Sequence, residues 1–163
     1  QKIFGISPRL FQSIKPYIHI QSIQKNTFAL KEKTVQIIDI NEATIEDWES
    51  LPGIGKYYAA KFYNFRVNLG GFASIDQLSE IYGIHDSTIL KIKPFIKLSK
   101  PIIKKININE ASSDELYKHP FLAKWQVEDI IKNRPIYGVD DLFDLKTFKD
   151  KKKNQRLIPY LTF

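Results

Sequence analysis

The chain holds 163 residues, 43% of them hydrophobic and 13% aromatic, which is ample for a packed core and excludes a disordered tail. No apolar run approaches the roughly 20 residues needed to span a bilayer. The absence of cysteine excludes disulfides, thiolate nucleophiles and cysteine-ligated zinc. A formal net charge of +7 favours a polyanionic partner.

Read in chain order, the sequence repeats itself. It begins at Gln1 and contains no Met, so the natural start is expected upstream. Phe4-Gly5-Ile6 and Lys15-Pro16-Tyr17-Ile18 match Tyr82-Gly83-Ile84 and Lys93-Pro94-Phe95-Ile96 further on. Residues 1–18 therefore read as the C-terminal half of a truncated first unit. Residues 19–38 lack helical period and hold β-formers such as Val35-Gln36-Ile37-Ile38, which predicts an extended linker.

The second unit, residues 39–98, opens on Ile40-Asn41-Glu42-Ala43-Thr44. Thr44 three residues before Asp47 predicts a capped helix start, with Trp48 and Leu51 on one face. Pro52 leads into Gly53-Ile54-Gly55, and a longer helix is predicted over 56–69 with Ala59, Phe62, Tyr63 and Arg66 at helical spacing. Gly70-Gly71 ends it. Ser74 starts a third helix that turns Leu78 and Ile81 inward. A fourth, from Asp86 or Ser87, puts Ile89, Leu90 and Ile92 on its buried side and ends at Pro94.

After a linker at 99–106, the third unit, 107–163, repeats the lead-in as Ile108-Asn109-Glu110-Ala111-Ser112 and the closing as Ile158-Pro159-Tyr160-Leu161. Ser112 to Glu115 repeats the capping pattern, and Leu116 and His119 share a face.

Leu51-Pro52-Gly53-Ile54-Gly55-Lys56 carries the chemistry. Pro52 fixes φ entering the turn and Gly53 supplies positive φ. Ile54 plugs the gap between helices, Gly55 leaves the backbone bare, and Ala59 lets the helices approach. Unpaired N–H groups at a positive helix end, with Lys56 beside them, make an anion site suited to a phosphodiester oxygen. Such contacts read no base edge, so binding would be indifferent to sequence.

This segment closely resembles the helix-hairpin-helix motif. With the Ile-Asn-Glu-Ala lead-in and the Pro-Phe-Ile closing, each unit resembles the DNA-receptor domain of the competence protein ComEA family. The resemblance covers 39–98 well, 107–161 more loosely and 3–18 as a half unit. It implies an all-α, SAM-like fold of tandem helix-hairpin-helix units, about four short helices each, joined by extended linkers. It further implies duplex DNA held through its phosphates, no catalytic centre, and a place in the cell envelope. Carried over by motif, the phosphate contacts are Gly53, Ile54, Gly55 and Lys56, with a second hairpin at Gly83 and Ile84.

The third unit departs from this pattern. Its hairpin reads His119-Pro120-Phe121-Leu122-Ala123-Lys124, without either glycine, and is expected to keep the fold but lose the phosphate cup. Its second hairpin, Lys146-Thr147-Phe148, lacks the glycine too. In the second unit His85 stands where a second glycine would follow Ile84.

Charge is distributed unevenly. Residues 39–98 hold six basic and eight acidic side chains, although they hold the best motif. Lys91, Lys93 and Lys97 belong to one lysine cluster, and Lys151, Lys152 and Lys153 to another. These are expected to add non-specific affinity by counterion release; a solvated surface is the alternative for either cluster.

Trp48, Trp125, Tyr57 and Tyr58 are assigned to packing, with Tyr57 the exposed exception. His19, His85 and His119 show no ligand spacing, so no metal is expected. No nucleophile, phosphate-loop or His-Glu pattern is present, so neither an enzyme nor a cofactor is expected. The expected partner is double-stranded DNA, without sequence preference, small-molecule substrate or membrane contact, bound by a monomer. The rival is a protein-interaction module of the same fold that has lost DNA. An accessory segment of a nuclease or helicase is a third reading.

Overall fold

The computed structural model describes residues 7–17, 36–101 and 103–163. The expectations for Phe4-Gly5-Ile6, for His19 and for most of the 19–38 linker lie outside them. The chain divides into two units, Gln1–Lys33 and Thr34–Phe163.

In the first unit, helix α1 (Pro8–Ile14) starts with the Ser7 hydroxyl accepting from the Leu10 N–H, and Pro8 occupies the first turn, where no N–H partner is needed. A 3-10 turn at Lys15–Tyr17 follows it. The same sequence of helix, proline and 3-10 turn recurs at Asp86–Ile92 and Lys93–Phe95.

The second unit is all-α apart from two pairs of two-residue strands. In the middle segment, 39–98, β1 (Ile38–Asp39) leads to α2 (Ile45–Ser50) and α3 (Lys56–Leu69). A 3-10 helix (Ile75–Glu80), α4 (Asp86–Ile92) and β2 (Ile96–Lys97) complete it. In the C-terminal segment the order is β3 (Ile106–Asn107), α5 (Ser113–Lys118), α6 (Lys124–Lys132), α7 (Val139–Asp144), α8 (Lys151–Asn154) and β4 (Leu161–Thr162). The third helix expected from Ser74 is thus a 3-10 helix, capped by Ser74 and Gln77.

The lead-in motif owes its composition to closure of each segment. β1 pairs in parallel with β2, Ile38 opposite Ile96, and β3 pairs with β4, Ile106 opposite Leu161. So the ends of the expected linkers, Ile38 and Ile106, are strand residues rather than free connections. The Asn41 side chain makes two hydrogen bonds with the Phe72 backbone, at 2.7 and 3.0 Å, and Asn109 does the same to Ile136 at 2.8 Å each. Arg66 donates to the Ile40 and Ala43 carbonyls, and Arg134 to those of Ile108 and Ala111. These clamps occupy part-buried backbone groups that would otherwise cost about 1–3 kcal/mol each to leave unpaired.

The core runs continuously through both segments. Trp48 stacks on Phe62 at 4.5 Å, between α2 and α3, where Ala59 is also fully buried. Phe65 on α3 meets Phe121 of the C-terminal segment edge-on at 6.1 Å. The Tyr160 hydroxyl donates to the Gln77 side chain at 2.8 Å and accepts from the Ala73 N–H at 3.1 Å. Arg156 pairs with Glu80 and lies 4.5 Å over the Phe121 ring. Gly70, left-handed at φ +83, leaves no room for a side chain: a Cβ there would lie 2.5 Å from the Lys104 carbonyl oxygen, while its own carbonyl accepts from Lys104 N–H at 2.7 Å.

Two expectations about packing need correction. Leu90 is 66% exposed, because the seven-residue α4 turns only Ile89 and Ile92 inward. Trp125 is 65% exposed, because α6 buries Gln126, Val127 and Ile130 instead.

His119 is buried against Phe121 and Tyr160. Burial, helped by the Arg156 charge, pushes its pKa down to about 4. The folded chain thus refuses a proton that the unfolded chain accepts below about pH 6.5. Stability should fall as pH drops from 6.5 to 4 by about 3 kcal/mol from this group alone, and then level off. His119→Gln, which removes the titration, should show a smaller loss between pH 7 and pH 4.5 in urea unfolding. An equal loss in both proteins would contradict this.

Candidate nucleic-acid interface

The turn between α2 and α3 is built as its sequence requires. Leu51 and Ile54 are buried, and the Ile54 N–H donates to the Leu51 carbonyl at 3.2 Å. Gly53 takes φ +80, a conformation reached by no residue other than glycine among those described. Gly55 precedes α3 in an extended conformation, φ −98, with no side chain capping the helix. A Cβ on either glycine would meet nothing within 4 Å. The N–H groups of Gly53, Gly55, Lys56 and Tyr57 have no acceptor among the described residues. They lie at the positive end of a 14-residue helix, on residues that are all exposed. Lys56 and Tyr57 are exposed beside them.

The second turn of the middle segment has the same backbone. Gly83 takes φ +78, Ile84 is buried, and the Ile84 N–H donates to the Ile81 carbonyl at 3.1 Å. The two turns are neighbours. Lys61, on α3, donates to the Tyr82 carbonyl at 2.8 Å and lies 4.8 and 5.9 Å from the ring centres of Tyr57 and Tyr82. Tyr57 and Tyr82 are 68% and 93% exposed. The sequence reading missed Lys61 and Tyr82, since nothing local signals a residue reaching from one hairpin to another.

The C-terminal segment repeats the turn without its openness. The Leu122 N–H donates to the His119 carbonyl at 3.0 Å, as Ile54 does to Leu51. Here, however, the Phe121 N–H donates to His119 Nδ1 at 3.3 Å, and the Ala123 N–H to the Gln126 side chain at 3.0 Å. Phe121, standing where Gly53 stands, is buried and does not take positive φ. At its second turn, Thr147 donates through its N–H and its hydroxyl to the Asp129 carboxylate, at 3.2 and 2.7 Å. This segment's own side chains already occupy donors that the middle segment leaves free.

The lysine clusters sit elsewhere. Lys91 is on the last turn of α4 and Lys93 just beyond it, at the helix end away from the Gly83 turn. Lys97 is the exposed residue of β2, opposite Asp39. Lys151, Lys152 and Lys153 are exposed on α8, and Lys153 shares with Pro120, Trp125 and Arg156 a cleft of about 320 Å³ beside the C-terminal turn. The structure therefore brings together Gly53, Ile54, Gly55, Lys56, Gly83 and Ile84, through Lys61, but not the lysine clusters with them.

Residues 33–97 match the family model of the helix-hairpin-helix motif. The matched stretch takes in both glycine turns and Lys61, and the helix-hairpin-helix assignment accords with the all-α architecture. Over 147 residues, 72% of this chain, the sequence is 24% identical to an endonuclease/exonuclease/phosphatase family domain-containing protein 1 from Xenopus laevis. That match spans 26% of the relative's length. No solved structure matches the chain.

The two hairpin glycines should separate on substitution. Gly53→Ala forces a side chain into left-handed backbone and should cost about 1–2 kcal/mol. Gly55→Ala meets neither strain nor neighbours and should leave stability unchanged or raise it by up to about 1 kcal/mol. Urea unfolding of both variants checks the order; a larger loss at Gly55 would contradict the geometry.

Proposed function

We propose that the chain binds double-stranded DNA through backbone phosphates, without sequence preference and without catalysis, as a monomer acting in DNA uptake or processing. The observation that carries this reading is the row of acceptorless N–H groups on the exposed residues Gly53, Gly55 and Lys56 at the start of α3. Neutral donors at a helix end hold an anion without demanding a particular base. Ile54 and Ile84 support the site from behind, as plugs that set each turn. Gly83 gives the second turn its shape, and Lys91, Lys93, Lys97, Lys151, Lys152 and Lys153 would add distant counterion release.

The matching turns and clamps of the 39–98 and 107–163 segments support a tandem arrangement of ComEA-like units, of which the C-terminal one has given up phosphate binding. The Xenopus relative favours a second reading. The protein it resembles is much longer and is named for a nuclease-type domain, so this chain would be the DNA-holding part of a DNA-processing protein. Both readings make the same demand on the hairpin.

Fluorescence anisotropy with an arbitrary duplex should give a log–log salt slope near −4 to −5, for about four to six phosphates engaged. Gly55→Glu, which sets a carboxylate over the open N–H groups, should lower affinity at least about tenfold and equally for unrelated sequences. Absence of duplex binding at 50 mM salt would overturn the reading and leave the protein-interaction module in its place. So would Gly55→Glu binding like the parent.

A further inference from the structure

We propose that Lys61 is a phosphate-contacting residue of the interface, set between the two glycine turns, and that the residue at this helix position decides which segment takes DNA. The inference rests on the DNA-binding reading above.

Lys61 is the sixth residue of α3, and Asp129 is the sixth residue of α6. Both reach the second turn of their own segment. Lys61 does so by donating to the Tyr82 carbonyl, Asp129 by accepting from Thr147. The position is the same and the charge is reversed. In the C-terminal segment the carboxylate neutralises turn donors and would repel an approaching phosphate. In the middle segment an ammonium stands there, and no carboxylate among the described residues pairs with it.

The placement of that ammonium is defined. A Cβ on Gly83 would lie 2.8 Å from Lys61 Nζ, so the space vacated by the glycine side chain is where the charge sits. The exposed rings of Tyr57 and Tyr82 flank it, 4.8 and 5.9 Å from their centres, and hold it by cation–π attraction. An ammonium has three donors, and the Tyr82 carbonyl takes one of them. The others remain for phosphate oxygens on the face from which both turns emerge. This placement also gives the middle segment, acidic in sum, a positive point where the backbone of a duplex would pass.

The test is a salt titration of the full chain with one arbitrary duplex, comparing the parent with Lys61→Ala and Lys61→Arg. Loss of one phosphate contact should reduce the magnitude of the log–log slope by about 0.9 and lower affinity about tenfold at 50 mM salt. Lys61→Arg should restore both. If the parent binds while Lys61→Ala keeps its slope and affinity, the inference is wrong and the DNA-binding reading stands. If Lys61→Ala and Lys61→Arg lose affinity alike, together with thermal stability, Lys61 is a structural residue and the inference is likewise wrong. If the parent itself fails to bind, both fall.

Discussion

A peptide N–H at the start of a helix has no partner within that helix, and something else must accept from it. How each hairpin meets this constraint organises the whole molecule. Before α3 nothing in the described chain accepts from Gly53, Gly55, Lys56 or Tyr57, and water or a ligand must. Before α6 the chain supplies its own acceptors, His119 Nδ1 and the Gln126 amide oxygen. Two turns with matching main-chain bonds therefore differ at two donors, Phe121 and Ala123 being satisfied where Gly53 and Gly55 are not. The N–H groups of Lys124 and Trp125, like those of Lys56 and Tyr57, have no acceptor among the described residues.

The difference extends into packing. Where the middle segment has Gly53, the C-terminal segment has Phe121, and that ring is part of the joint between the two segments, against Phe65, Tyr160 and the Arg156 guanidinium. His119, beside that ring, is held neutral near pH 7 by its own burial and by the Arg156 charge. One hairpin is thus committed to holding the molecule together while its counterpart remains free to bind. Asn41 and Arg66, with Asn109 and Arg134, fix the helices of each segment to its lead-in, so the open turn is presented on a rigid frame. Rigidity matters because donors held in place need little further ordering when an anion arrives.

Much of this was legible in the sequence. The limits of α3, the capping of α2 by Thr44, the left-handed Gly53 and the absence of positive φ at Phe121 all follow from local chemistry, which sequence displays directly. What was not legible depends on distance in the chain. Lys61 meets the Tyr82 carbonyl 21 residues away, and Tyr160 meets Gln77 83 residues away. Trp125 and Leu90 were misjudged for a related reason. Helical spacing shows that a helix has a buried side, but in one as short as α4 or α6 the neighbouring elements decide which residues lie on it. The lysine clusters show a similar limit, since sequence gives their charge but not that Lys153 lies beside the C-terminal turn.

The most direct measurement is an amide-resolved NMR titration of the chain with a short arbitrary duplex. Bare donors that grip phosphate should move first: the Gly53, Gly55 and Lys56 N–H signals shift with DNA, while those of Phe121 and Ala123 stay in place. Unmoved signals at Gly53 to Lys56, with changes confined to the C-terminal segment or to the lysine clusters, would contradict the central claim.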